Sequence, residues 1–306
     1  MRNILLSLML LLGACAYNDR PYTGPIAPAN TSTVFWVDAD PACETGFAHM
    51  FEDPDDCPAL ELAIHAGARI DGLSTTKGNT DATTAYDIGK HVAQGRFPVY
   101  KGSNDCTDPM VAAFKKAATK NRVTILALGP LTNIATILRC EPTLKGRITE
   151  IIFVGGRQPL ERFVPNPNWW LRLELKDLNV EVDQSAVVAV LEAGVPLKLV
   201  PYKAGRAVIL DAWELAFSGT NLPTELLERL QGWHTLSALF LGTGGIMPFD
   251  PVAVAYALWP AQFTCKAVEA NMAHGRLEVQ PKPFSHIEHC LPTNPAQVRA
   301  HILKTL

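Results

Sequence analysis

Residues 33–40 read Thr-Val-Phe-Trp-Val-Asp-Ala-Asp, an apolar run closed by Asp38 and Asp40. A short continuous apolar stretch bounded in this way predicts a strand buried on both faces. Similar runs recur at 70–75, at 98–100, at 123–128 (VTILAL), at 151–154 (IIFV, followed by Gly155 and Gly156) and at 197–200. Between them lie segments of helical period: 58–66 (PALELAIHA, with proline in its first turn), 81–94, 108–120, 131–138 and 183–193. Strand and helix in alternation predict an α/β fold, an open, mostly parallel sheet with helices on both faces. Beyond residue 200 the pattern predicts helices at 224–241 and 251–258 and short strands at 265–272, 277–280 and 286–289. Asn294-Pro295 is a cap and first-turn signal for a closing helix at 296–303.

The composition excludes several classes. With 48% hydrophobic residues among 306, and 27 Lys+Arg against 30 Asp+Glu for a net charge of −3, the chain is not intrinsically disordered. Its 21 Gly and 23 Pro follow no repeat, so it is not collagen-like. A slightly acidic chain without a Lys/Arg cluster offers no nucleic-acid surface. No stretch within 33–306 is composed like a linker, which predicts one domain there.

The first residues are of another kind. Arg2 precedes an apolar run over 4–12, too short for a membrane span but right for a secretory signal. Leu12-Gly13-Ala14-Cys15 resembles a bacterial lipobox, which makes 1–14 a signal peptide and Cys15 the lipidated residue of the mature protein. An ordinary signal peptide cut after Ala14 is the other reading. Ala16 in place of Asp favours the outer membrane, so the expected location is the periplasm, the membrane being met only through this anchor. Residues 15–32, with Pro21, Pro25 and Pro28, form an extended tether. Six cysteines remain: Cys43, Cys57, Cys106, Cys140, Cys265 and Cys290. An oxidising compartment permits up to three disulfides among them. Cys43 with Cys57 is the first pair to test, while Cys140 reads equally well as a buried thiol.

The carboxylates carry the chemistry. Asp38 and Asp40 stand at the C-terminal end of the first strand, the edge at which open α/β sheets bind ligands. Spaced i, i+2, they point the same way and repel, and a cation relieves that repulsion. Asp55 and Asp56 sit just before a helix whose positive end favours anions, and Asp250 precedes another helix. Such oxygen donors select Ca²⁺ or Mg²⁺ over zinc. Spacing alone does not separate this from acidic helix caps and solvated loops.

The wording around these residues goes further. Asp38-Ala-Asp40-Pro41, Asp55-Asp56, Gly72-Leu-Ser-Thr-Thr-Lys-Gly-Asn79, Ala127-Leu-Gly-Pro-Leu-Thr-Asn133, Asn179-Val-Glu-Val-Asp183 and Asp250-Pro-Val-Ala-Val-Ala-Tyr256 occur in this order. Together they resemble the inosine–uridine-preferring nucleoside hydrolase family over about residues 33–260. The family's D-x-D-P-G-x-D-D run is broken here by an insertion at 42–54. The resemblance implies a Rossmann-like nucleoside hydrolase fold, a bound Ca²⁺ and a role in nucleoside catabolism. Its metal ligands would be Asp40, Asp56, the carbonyl of Leu128 and Asp250. Asp40 would also be the general base on the attacking water. Asp55, Asn79 and Asn179 would hold the ribose hydroxyls, with Asp177 at a position where the family prefers Glu. Asp38 would support the ligands from behind. The family also implies a homo-oligomer.

One departure bears on mechanism. Many members carry His before the last metal Asp as a proton donor to the departing base, and here that residue is Phe249. Trp169 and Trp170 could stack on a base, or else pack a loop or an oligomer surface. His49 in the insertion is a replacement acid or a surface residue, and Asn168 could stand in for a ribose-contacting Asn. His286 and His289, i and i+3 on a strand, face opposite sides and make a poor zinc pair. Gly242-Thr-Gly-Gly245 lacks the context of a phosphate loop and reads as a turn near Phe249. The expected function is calcium-dependent hydrolysis of the N-glycosidic bond of a ribonucleoside or related N-ribosyl compound. The alternative is a non-catalytic lipoprotein that binds calcium and a ribosyl ligand.

Overall fold

The computed structural model describes residues 22–43 and 52–306. The predicted signal peptide, Cys15 and His49 lie outside the described residues. The chain runs β1 (Val34–Ala39), α1 (Asp56–His65), β2 (Arg69–Thr75), α2 (Ala82–Ala93), β3 (Val99–Lys101), α3 (Pro109–Lys120), β4 (Val123–Ala127), α4 (Thr132–Cys140) and β5 (Ile148–Val154). It continues through α5 (Leu178–Glu181), α6 (Gln184–Glu192), β6 (Leu197–Val200), α7 (Tyr202–Ala207), α8 (Ala212–Phe217), α9 (Thr224–Leu236) and α10 (Phe249–Leu258). β7 (Phe263–Ala273), β8 (Arg276–Pro281), β9 (Ile287–Pro292) and α11 (Pro295–Thr305) close it.

The strands form one sheet in the order β3-β2-β1-β4-β5-β6-β9-β7-β8. From β3 to β6 all pairings are parallel, and β9 joins β6 in parallel. β7 pairs antiparallel with both β8 and β9, which finishes that edge as a hairpin. The parallel block follows the 3-2-1-4-5-6 order of a doubly wound sheet, whose strand order reverses between β1 and β4.

Local chemistry explains the element ends. Asp81 caps α2 by accepting from the amides of Thr83 and Thr84, Asp108 caps α3 through Met110, and Asn294 caps α11 through Gln297. The central strands are buried on both faces, with one apolar core on each side of the sheet. Trp36 shows how closely they pack: its indole N–H donates to Ser74 Oγ (2.9 Å) and its ring meets Phe114 edge-on at 5.3 Å. Gly72 leaves room for that ring, since a Cβ there would lie 2.5 Å from it.

The tail of the helix expected at 224–241 differs. α9 stops at Leu236, and Ser237–Leu241 forms a wider π turn ended by Gly242 at φ +65°. α7 and α8, six residues each, were not apparent in the periodicity. All six cysteines after Cys15 pair as Cys43–Cys57, Cys106–Cys140 and Cys265–Cys290, so Cys140 is not a thiol. Among the described residues no helix is long and apolar enough to cross a membrane.

Candidate active site

The strand-order reversal places the ends of β1 and β4 side by side, and the backbone ties them there. The amides of Leu128 (2.7 Å) and Gly129 (3.3 Å) both donate to the carbonyl of Asp38. Asp38 itself points into the structure. Its Oδ1 accepts from Ser74 and from Asn133 Nδ2 (2.7 Å), and Asn133 also donates to the carbonyl of Thr75. Asp38 thereby joins β1, β2 and α4 beneath the site. Burial lifts its pKa to about 7 against the lowering effect of those bonds.

Asp40, one residue past β1, is fully buried. Its Oδ2 accepts the amide of Asn79 (2.6 Å), while its Oδ1 has no partner among the described residues. Glycines on either side make the space: a Cβ at Gly78 would lie 1.9 Å from Oδ2, and one at Gly129 2.5 Å from Oδ1. The amide of Asp40 donates to Asp56 Oδ1 (3.1 Å), and Asn79 Nδ2 reaches Asp56 Oδ2 at 3.5 Å. From the opposite side, the amide of Asp250 donates to Asp55 Oδ2 (2.9 Å).

Carboxylate oxygens of Asp55, Asp56 and Asp250, all buried, lie within 4.8 Å of one another. So many acids out of water and near each other resist ionisation. Burial first, then neighbouring carboxylates, holds Asp56 and Asp250 well above the usual range. Burial likewise lifts Asp40 to about 7 and Asp55 to about 6. A buried cluster of hard carboxylate oxygens, with one lacking a partner among the described residues beside it, could serve as the donor set of a divalent cation such as calcium, whose charge would favour the ionised forms. The residues present therefore fit a metal.

A cavity of about 240 Å³ opens above this floor. Asp55 and Asp250 line it together with Asn79, Leu128, Asp177 and Asn179, whereas Asp40 and Asp56 are held beneath by the bonds just described. Asn179 Nδ2 donates to the carbonyls of Leu128 (2.6 Å) and Val154 (3.2 Å), so it aims the Leu128 carbonyl, which keeps a second lone pair. Asp177 faces buried Arg157, Nη2 at 3.6 Å from Oδ2. Burial still lifts Asp177 to about 6, the guanidinium acting in the other direction.

The upper wall is aromatic and differs from the sequence expectation. Phe249 lines the cavity and meets Phe163 edge-on at 5.6 Å, and Phe163 stacks on Tyr202 at 4.3 Å. Trp233 completes this wall. Trp169 is instead packed against Gly242, where a Cβ would lie 2.3 Å from its ring. Trp170 is 76% exposed, so neither tryptophan forms the base wall, and Asn168 is exposed and does not line the cavity in which it was expected to contact the ribose.

Sequence reasoning also missed Asp53, whose carboxyl hydrogen-bonds that of Asp55, a contact that needs a proton between them. The run Asp53-Pro54-Asp55-Asp56 was a visible signal for it. Tyr202 opens α7 two residues past β6, at the sheet's ligand-binding edge, a position that could have marked it. Trp233 lies within α9, where nothing in the local pattern separates a cavity wall from core.

Residues 35–298 match the family described as inosine-uridine preferring nucleoside hydrolase. The chain belongs to that family. This nucleoside hydrolase is therefore a ribohydrolase by class, acting on the N-glycosidic bond. It is 27% identical over 286 residues to an uncharacterized protein of Schizosaccharomyces pombe, covering 78% of this chain and 79% of that one. It is 28% identical over 173 residues to the pyrimidine-specific ribonucleoside hydrolase RihA of Klebsiella pneumoniae, covering 55% of this chain and 52% of RihA, about half its length. In fold it is similar to the purine-preferring ribonucleoside hydrolase from Gardnerella vaginalis, with a TM-score of 0.72, 17% identity and coverage of 89% of this chain and 99% of that one.

Proposed function

We propose that this nucleoside hydrolase cleaves the N-glycosidic bond of a ribonucleoside or related N-ribosyl compound with Ca²⁺ at the acidic floor. The convergence of Asp55, Asp56 and Asp250 oxygens next to Asp40, at the point where the strand order reverses, carries this reading. Asp56, Asp250, Asp40 and the Leu128 carbonyl would hold the ion, with Asp55 close enough to share it. When bound, the cation supplies Lewis acidity and a grip on sugar hydroxyls.

The rest of the work falls to the chain. Asp55, Asn79 and Asn179 face the sugar from the floor of the cavity, fixing the anomeric carbon against the attacking water. Asp40 takes the proton from that water: one oxygen is pinned by the Asn79 amide and the other has no partner among the described residues. The surrounding carboxylates stabilise the ribosyl cation that builds up as the bond breaks. Phe163, Tyr202, Trp233 and Phe249 present faces and edges to the base. None of them protonates it readily, since the Tyr202 hydroxyl is occupied with Glu161 (3.0 Å) and the Arg162 carbonyl (2.8 Å). Family membership favours this enzyme over the non-catalytic binding reading.

The test is a panel of purine and pyrimidine ribonucleosides assayed for free ribose in calcium, with Asp40→Asn as control. Ribose release by the wild type and its loss in the variant are expected. Absence of release from every compound, with binding retained, would overturn the proposal. We also propose that the chain is anchored in the outer membrane through Cys15. Three disulfides among the described residues support an oxidising location. Incorporation of labelled palmitate that a Cys15→Ser variant abolishes is the expected result.

A further inference from the structure

Asp40 and Asp56 are hydrogen-bonded neighbours although 16 positions separate them in the chain. In the D-x-D-P-G-x-D-D pattern the corresponding acids are five positions apart, joined by a short stretch of backbone. Here residues 42–54 intervene, and a loop of that length constrains its ends weakly. Yet both acidic arms end in a cysteine. Cys43 lies three residues after Asp40, Cys57 directly follows Asp56 in the first turn of α1, and the two form a disulfide across a Cα–Cα distance of 6.3 Å.

We propose that the Cys43–Cys57 disulfide is the positioning element of the acidic site, holding the Asp40 arm against the Asp55–Asp56 arm in place of an uninterrupted chain. The inference rests on the metal-binding reading above only for one of its two readouts. The arms need such a clamp because they bring together buried carboxylates that repel one another. The Asp40 amide bonded to Asp56, and Asn79 reaching both carboxylates, are hydrogen bonds that reduction of the link would leave to hold the arms by themselves. Cys57 is buried against the apolar core beside α1, so the bond also anchors the Asp40 arm to a rigid element.

The bridge is accessible without entering the substrate cavity. Cys43 and Cys57 line a second cavity of about 520 Å³, together with Glu61, His91 and Leu226. A small dithiol reaches the bond there. One thiolate attacks a cysteine sulfur to form a mixed disulfide and releases the other cysteine as a thiol. The second thiol of the reagent then closes on the first, leaving Cys43 and Cys57 both reduced and the reagent as a cyclic disulfide.

The experiment compares the full chain with Cys43→Ser/Cys57→Ser and, as a control for loss of a cross-link in general, Cys106→Ser/Cys140→Ser. Calcium affinity is measured by calorimetry, and hydrogen exchange of the 37–42 peptide is followed in chelator. The first variant is expected to bind calcium about tenfold or more weakly, and the control within about twofold of wild type, as for other supports of metal ligands. Exchange at 37–42 should quicken in the first variant alone. Unchanged calcium affinity and unchanged exchange in that variant would overturn the proposal. If the variant does not fold, stepwise reduction of the wild type with dithiothreitol replaces it: affinity loss and faster exchange should follow the opening of Cys43–Cys57, scored by alkylation, and not that of Cys106–Cys140. If the wild type binds no calcium, the metal reading fails, and exchange alone decides whether the clamp exists.

Discussion

Asp55 Oδ2 accepts the backbone amide of Asp250 across 2.9 Å, joining two residues 195 positions apart. The bond brings the N-terminal ends of α1 and α10 to one point, because Asp55 is the N-cap of α1 and Asp250 lies in the first turn of α10. Each helix aims its positive end at the acids it carries, which partly offsets their burial. Neither end satisfies the cluster fully, and the proposed cation would complete it.

Asp40→Asn keeps the shape of the site and removes its proposed base. It is expected to lower kcat by at least about 10²-fold, or about 3 kcal/mol of barrier. The same substitution removes a buried acid that burial and neighbouring carboxylates push up, so in chelator its Tm should equal or exceed that of wild type. Ribose release and thermal denaturation with EDTA check both halves. A joint fall of activity and Tm would point to a purely structural role.

The pH dependence of stability follows from the same acids. Asp38 and Asp40 move from an ordinary 3.8 to about 7 on folding, so in this range the folded protein binds more protons than the unfolded chain. Stability is then fully present below pH 4 as far as these groups decide it, and is lost as pH rises towards 7. In chelator, Tm should fall by at least about 5 °C between pH 5 and pH 8. Saturating calcium, which binds the ionised cluster and not the protonated one, should flatten or reverse that slope. Parallel melting series with EDTA and with calcium measure the difference.

Much of the fold was open to reading because its causes are local. Runs such as VTILAL at 123–128 can only be buried strands in this setting, and Asp81, Asp108 and Asn294 announce their helices by capping them. The two six-residue helices α7 and α8 gain their stability from packing: Gly205 in α7 lies so close to Phe249 that a Cβ would meet it at 2.5 Å. The acidic pairs were visible in the chain, but their meeting depends on the strand order and on the Cys43–Cys57 link. The aromatic wall was misplaced for a related reason. Trp169 and Trp170 stand in a conspicuous doublet, whereas Trp233 and Tyr202 reach the cavity from α9 and from the start of α7, which only tertiary structure brings together.

Gly78→Ala and Gly129→Ala probe the space around Asp40 without touching any carboxylate. The added Cβ would sit 1.9 Å from Oδ2 in the first and 2.5 Å from Oδ1 in the second, so the Asp40 side chain has to move. Displacements of about 1 Å at a reacting group lower rates by about 10²-fold. Both variants are expected to lose activity to that extent. Circular dichroism should show the wild-type fold, and a wild-type kcat in either would mean that Asp40 does not act from the position it occupies.

Phe249→His tests how the base leaves. Phe249 lines the cavity edge-on to Phe163 and offers no proton, so departure of the base in the wild type relies on the carboxylate-stabilised ribosyl cation and on whatever acid the solvent supplies. Histidine at this position introduces a donor whose ordinary pKa is about 6.5. The variant is expected to gain a basic limb in its kcat profile near that pH, because only the imidazolium can donate. Its advantage should be greatest for the ribosides with the poorest leaving groups and should vanish for an activated riboside such as p-nitrophenyl ribose, whose leaving group departs unprotonated. Equal gain on both kinds of substrate would show that residue 249 acts by shaping the base wall and not by proton transfer.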